Sequence, residues 1–178
     1  MTPFFTIGHA TRPLAEFVEL LGRNGVKRVA DVRAFPRSRT NPQFNVDTFG
    51  PALARHGIGY RHFPALGGKR PRSKDVAEGT NAFWDNESFH NYADYAMGAD
   101  FHTGLEALLA FGRAEPVAVM CAETVWWRCH RRIVADYLLA ADQDVWHILG
   151  PDQVEPARLT PAARPGPHGA LVYPFMLS

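Results

Sequence analysis

The sequence predicts an α/β fold: a single domain built on a mostly parallel sheet of about five strands, with helices on both faces. Three observations predict it. Short apolar runs alternate with amphipathic stretches along the first 150 positions, the rhythm of strand, helix, strand units. Runs such as PVAVMCA are continuously apolar, which suits strands buried on both faces. The chain has 178 residues, 46% of them hydrophobic, enough for one substantial core and too few for two comfortable ones.

Taken in order, FFTIGHA (Phe4 to Ala10) reads as a short buried strand. RPLAEFVELLGRNG reads as an amphipathic helix: Leu14, Phe17, Val18 and Leu21 share a face, Pro13 suits the first turn, and Gly22 with Asn24-Gly25 ends it. VKRVADVRAFP gives a second strand ending before Pro36, VDTFGPALARHG a short helix interrupted by Pro51, and IGYRHFP a third strand. Phe101 to Ala114 gives a helix, PVAVMCA a fourth strand, CHRRIVADYLLAAD a helix with Ile133, Val134, Tyr137 and Leu138 buried, and DVWHIL a fifth strand. Gly67 to Tyr95 is looser, with Phe89 and Tyr92 expected to form a packing edge. We divide the chain into an α/β domain, 1–150, and a Pro-rich extension, 151–178, packed on the domain or trailing from it.

The longest apolar run, near Val117, falls far short of the roughly 20 residues a membrane helix needs, and the N-terminus lacks the basic start and apolar core of a signal peptide. Two cysteines do not make a disulfide framework. We read them as thiols in a reducing compartment, with a Cys121–Cys129 bridge as the alternative, and expect a cytoplasmic protein with no membrane partner. The net charge of +1 conceals a segregation: Lys27 to Lys74 holds 11 of the 19 basic residues and two acids, Asp31 and Asp47. Such a block is either a solvated face balanced by acids after folding or a surface that attracts an anionic small molecule or nucleic acid.

The chemically interesting residues follow strand ends. His9 follows the first strand, Arg33, Arg37 and Ser38 the second, Gly67-Gly68 the third, and Cys121 with Glu123 the fourth. In open parallel sheets ligands bind beyond the carboxyl ends of the strands, so these loops are expected to converge on one crevice. PRSRTNPQFN is a rigid loop suited to holding a phosphate through Arg37, Ser38 and Arg39.

In VAVMCAETVWWRCHRR (Val117 to Arg132) a strand turns at Cys121 and a helix begins near Cys129, where free N–H groups bind anions and lower a thiol's pKa. Three chemistries are open. Cys121 is a nucleophile activated by His130 or His9 and facing Arg128, which resembles in outline the phosphate loops of cysteine phosphatases and the sulfur-transfer loops of rhodaneses. Cys121 to Arg128 leaves six residues between them, however, where tyrosine-phosphatase loops leave five. A metal site would use Cys121, Cys129, His130 and His9, although adjacent Cys129-His130 is not usual ligand spacing. In the third, Cys129 is a small buried hydrophobe and the arginines pair internally. We assign no metal and no cofactor.

TIGHATRPLAEFVELL, VADVRAFPRSRTNPQFN, GIGYRHFPALGG, FHNYADYA and VMCAETVWWRCHRRIVADYL, in that order, resemble the family called domain of unknown function 488 from Thr6 to His147. Its motif positions fall on Gly8, His9, Asp31, Arg33, Pro36, Ser38, Leu66, Gly67, Cys121, Glu123, Cys129, His130 and Arg131. Ala10 stands where a small hydroxyl residue is more usual. The resemblance implies an α/β fold and a shared site, and brings no reaction, cofactor or substrate.

We therefore expect an enzyme acting on a phosphate-bearing or other anionic ligand. Cys121, Glu123, His130 and His9 are the catalytic candidates, and Arg33, Arg37, Ser38, Arg128 and Arg131 hold the anion. The alternative is a non-catalytic nucleic-acid-binding module that uses segment 27–74. Of the two thiols, Cys121 is expected to be the more acidic.

Overall fold

The computed structural model describes residues 1–177. Its elements are β1 (Phe4–Gly8), α1 (Leu14–Arg23), β2 (Arg28–Asp31), α2 (Val46–Arg55), β3 (Gly59–His62), α3 (Glu87–Tyr95), α4 (Ala99–Phe111), β4 (Val117–Cys121), α5 (Arg131–Ala140), β5 (Val145–Gly150), β6 (Gln153–Pro156), β7 (Arg164–Pro165) and β8 (Leu171–Val172). The six-stranded sheet runs β3-β2-β4-β1-β5-β6, and β7 pairs with β8 in a separate two-stranded ribbon. All pairings from β3 to β5 are parallel, and β6 is an antiparallel edge strand. Among the described residues no helix is long and apolar enough to cross a membrane.

Strand pleating divides the core in two. On β4, Ala118 and Met120 point toward α1 and α2, where Phe17, Leu20, Leu21, Phe49 and Leu53 cover them. Val117, Val119 and Cys121 point the other way, toward α3, α4 and α5, where Tyr92, Phe101, Leu105, Leu108, Ile133, Val134 and Leu138 close the layer. Helices cover both faces of the sheet's centre, so β1 and β4 are buried throughout, Thr6 of β1 being the one polar residue on them. Cys121 thus faces α5, and the residues at the start of that helix stand directly over it.

Three features depart from the sequence expectations. Pro51 does not interrupt α2: it lies inside the second turn with its ring exposed, while Phe49, Ala52 and Leu53 around it are buried, so packing outweighs the one backbone hydrogen bond that proline removes. Part of the looser region folds as α3, which begins where the Asn86 side chain accepts the Phe89 N–H at 3.2 Å. The tail supplies a sixth strand and the ribbon, and Tyr173 is buried with its hydroxyl donating to Asp136 at 2.9 Å.

β1 leaves the middle of the sheet and the chain moves toward β2 and β3, whereas β4 leads across β1 to β5 on the other side. The loops after β1 and β4 therefore meet at a point where the winding changes direction, the place where a crevice opens in such sheets. They meet closely. The His9 N–H donates to the Cys121 carbonyl at 2.9 Å and the Ala10 N–H to the Ala122 carbonyl at 3.0 Å. A Cβ on Gly8 would overlap the Glu123 carbonyl oxygen. Gly8→Ala is expected to destabilise the fold by about 3 kcal/mol or more, because backbone rather than a flexible side chain would have to give way. Chemical denaturation checks it, with Gly22→Ala, which meets no atom within 4 Å, as the neutral control.

Candidate functional site

A crevice of about 510 Å³ opens at the carboxyl ends of β1, β2 and β4, within the size range of small-ligand pockets. His9, Arg33, Arg37, Ser38, Cys121, Glu123, Arg128 and His130 all line it, so loops distant in sequence are brought to one place. Arg131 does not. Beneath the crevice lie two buried polar assemblies, one on each face of the sheet.

The first assembly is on the α1/α2 face. Asp31, the last residue of β2, is fully buried and takes Arg33 in a fork: Nε donates to Oδ1 at 2.9 Å and Nη2 to Oδ2 at 2.7 Å. The Tyr60 hydroxyl donates to the same carboxylate at 2.5 Å. Arg33 Nη2 also donates to the Phe44 carbonyl at 2.7 Å, and Nη1 lies 3.3 Å from His9 Nε2. His9 Nδ1 donates to the Ala10 carbonyl at 2.8 Å, and its ring stacks on Phe44 at 4.4 Å. Burial holds the His9 pKa below its ordinary value, with the Ala10 carbonyl opposing and the Arg33 charge reinforcing the shift. Both ring nitrogens of His9 are thus engaged, and Arg33 is committed to Asp31. These two residues shape the crevice wall instead of serving as the expected free base and free anion contact.

The second assembly is on the α5 face. Cys121 and Cys129 are free thiols whose sulfurs lie 2.7 Å apart. Arg131, the first residue of α5, is 1% exposed. Its Nε donates to Cys121 Sγ at 2.9 Å, Nη1 to Thr6 Oγ1 at 3.2 Å, and Nη2 to the Glu123 carbonyl at 2.6 Å. Thr6 Oγ1 in turn lies 2.6 Å from His147 Nδ1. The Arg131 backbone N–H donates to Cys129 Sγ at 3.4 Å. Among the described residues no carboxylate forms an ion pair with Arg131. Burial opposes its charge, and the two sulfurs overcome that opposition. Arg131 was expected at the anion; it is instead an internal cation, because the start of α5 faces the sheet and not the opening.

The thiols also reverse the expected order. Burial and the hydrogen bond to Cys129 push Cys121 well above the ordinary thiol range. Cys129 is held well below it: burial acts upward and is overcome by the hydrogen bond from Cys121 and by the charges of His130 and Arg131. Of the two sulfurs, Cys129 is therefore the one whose surroundings favour the thiolate. His130 packs against Tyr92, with its Nε2 donating to the Val32 carbonyl at 2.7 Å and its Nδ1 turned to Cys129 Sγ at 3.5 Å. Gly68 allows this, since a Cβ there would lie 3.0 Å from His130 Nδ1.

The rim is cationic and open. Glu123, Arg37 and Arg128 are exposed, and Ser38 accepts the Asn41 N–H through its hydroxyl at 3.0 Å. Arg37 pairs with Asp47 at 2.9 Å, both well exposed, while Arg128 makes no side-chain hydrogen bond or ion pair among the described residues. Lys69, absent from the sequence candidates, lines the crevice with its ammonium over the Phe35 ring. Among the described residues no group of three or more His, Cys, Asp or Glu side chains is arranged to hold a metal ion.

The family model described as "Domain of unknown function DUF488" matches residues 13–138, which include Asp31, Arg33, both cysteines, His130 and Arg131. The chain belongs to the DUF488 family. No curated protein and no solved structure matches it. The DUF488 span leaves out His9, just past the end of β1, and His147, which pairs with Thr6 in the middle of the sheet.

Two outcomes are expected. Alkylation of the native protein at neutral pH should modify Cys129 before Cys121, read by peptide mass spectrometry; faster modification of Cys121 would contradict the assignment of the thiolate. His147, pushed down to about 3 by burial and by Arg131, is neutral in the fold and takes up a proton more readily when unfolded. Its contribution to stability is complete above its ordinary pKa of about 6.5 and is lost as the pH falls from there toward 3. Melting curves from pH 7 to pH 4 should show that loss, reduced in His147→Asn.

Proposed function

We propose that this DUF488 protein is an enzyme that acts on a phosphate-bearing or other anionic ligand in the crevice, with Cys129 and His130 as the reacting pair. The observation that carries the proposal is Arg131. A buried guanidinium stays charged, and an unbalanced buried charge costs several kcal/mol. The groups beside it able to carry a negative charge are the two thiols, so the crevice wall contains a thiolate next to an imidazole. A perturbed nucleophile in a cleft marks a functional site more often than a structural one.

In this proposal Arg128, Lys69 and Arg37 at the rim attract the anion, and Arg128 needs to break no internal pairing to do so. Cys129 is the nucleophile, and His130 moves the proton between the sulfur and the leaving group. Cys121 shares its hydrogen with Cys129 and is not itself the attacking group. Glu123, exposed at the mouth, is the remaining general acid or base. His9 and Arg33 act by fixing the wall. A non-catalytic nucleic-acid module along residues 27–74 has less support: Lys27 and Arg28 lie at the opposite end of β2 from Arg33 and Arg37, and Arg28, Arg33 and Arg37 each pair with an acid.

Thermal melting with inorganic phosphate and with a nucleoside monophosphate tests the proposal. The wild-type melting temperature should rise through linkage, and Arg128→Ala should lose at least half of the rise while its ligand-free melting temperature stays unchanged. Arg131→Ala should instead lower ligand-free stability, by about 3–5 kcal/mol, as removal of one partner of a buried charge pair does. Equal ligand-induced shifts in wild type and Arg128→Ala, or none in either, would count against the anion site.

A further inference from the structure

We propose that Cys121 and Cys129 form a reversible dithiol–disulfide pair, oxidised by small disulfides that enter through the crevice. This stands whether or not the crevice takes an anionic substrate, because it uses only the two sulfurs and their access to solvent.

Three observations carry it. Cys121 ends β4 on the α5 face and Cys129 stands two residues before the first residue of α5, so the turn from strand to helix returns one sulfur onto the other, 2.7 Å away. Both residues line the crevice, which makes them reachable from outside although each is buried by its surroundings. Arg131 donates through Nε to one sulfur and through its backbone N–H to the other. That arrangement stabilises a sulfur anion, the species that attacks in thiol–disulfide exchange. A merely structural thiol pair would need neither the buried cation nor the opening.

The exchange balances as follows. The Cys129 thiolate attacks one sulfur of the small disulfide; the disulfide S–S bond breaks and one small thiolate leaves. Cys121 then loses its proton to that leaving thiolate, attacks the Cys129 sulfur, and expels the second small thiolate. Two protein sulfurs are oxidised to a disulfide, and one small disulfide is reduced to a thiol, which carries the Cys121 proton, and a thiolate, which takes a proton from water. Oxidation takes the thiolate out of the crevice wall, so any chemistry that depends on Cys129 stops until a reductant restores it.

Full-length protein treated with glutathione disulfide at neutral pH, then digested without reduction, tests the pair. The expected product is an intact chain lighter by two hydrogens, with the Cys121 and Cys129 peptides joined, and dithiothreitol should reverse it. Cys121→Ser should stop at a single glutathione adduct on Cys129, and Cys129→Ser should likewise stop at a mixed disulfide on Cys121, with no joined peptides in either variant. Wild-type protein that stays fully reduced, or that accumulates a stable glutathione adduct, would overturn the proposal. The wild-type measurement decides it even where a serine variant fails to fold.

Discussion

A guanidinium buried against the middle of the sheet, with no carboxylate among the described residues to balance it, is the constraint on which the site depends. Arg131 reaches Cys121, Thr6 and the Glu123 carbonyl at once, and these groups belong to β4, β1 and the loop that closes the crevice. One side chain therefore fixes the relative position of two central strands, the start of α5 and the turn between β4 and α5. Its charge also acts on its neighbours: a guanidinium in the interior favours a negative sulfur beside it, because a lone buried cation is costly. Structure and reactivity are in this sense one interaction seen from two sides.

The opposite face of the sheet solves the same electrostatic problem differently. There Asp31 provides a carboxylate, Arg33 locks onto it in a fork, and the charge is neutralised by a buried ion pair. The result is a rigid wall carrying His9 and Phe44. The contrast between a carboxylate partner on one side and thiols on the other is what places the proposed reacting sulfur on the α5 side of the crevice, although both sides contain arginine and histidine.

Much of the architecture was legible in the sequence because it follows from periodicity. β4 is continuously apolar and β1 nearly so, and both are buried on both faces, while the stripe in α1 marks the side that meets the sheet. The convergence of His9, Arg37, Ser38, Cys121, Glu123, Arg128 and His130 was legible too, since each follows a strand end. The direction in which a side chain points at the start of a helix was not. Arg131 and Arg128 are both cations near the start of α5, and only the backbone path through Trp126–Arg128, a short 3-10 turn, sends one inward and leaves the other at the rim. The order of the thiols was illegible for the same reason: it depends on which sulfur receives the Arg131 N–H and faces His130. Pro51 and α3 were misjudged where buried neighbours and an asparagine cap outweigh local propensity.

The strand order has a consequence for how the chain is made. β1 leaves the ribosome before the other strands of this sheet, yet its partners are β4 and β5, which lie between residues 117 and 150. At about 5–20 residues per second, the apolar segment FFTIG waits on the order of ten seconds before either neighbour exists. For that interval the centre of the future sheet is an unpaired sticky ribbon, and the nascent chain has to be shielded or kept dilute until its second half arrives.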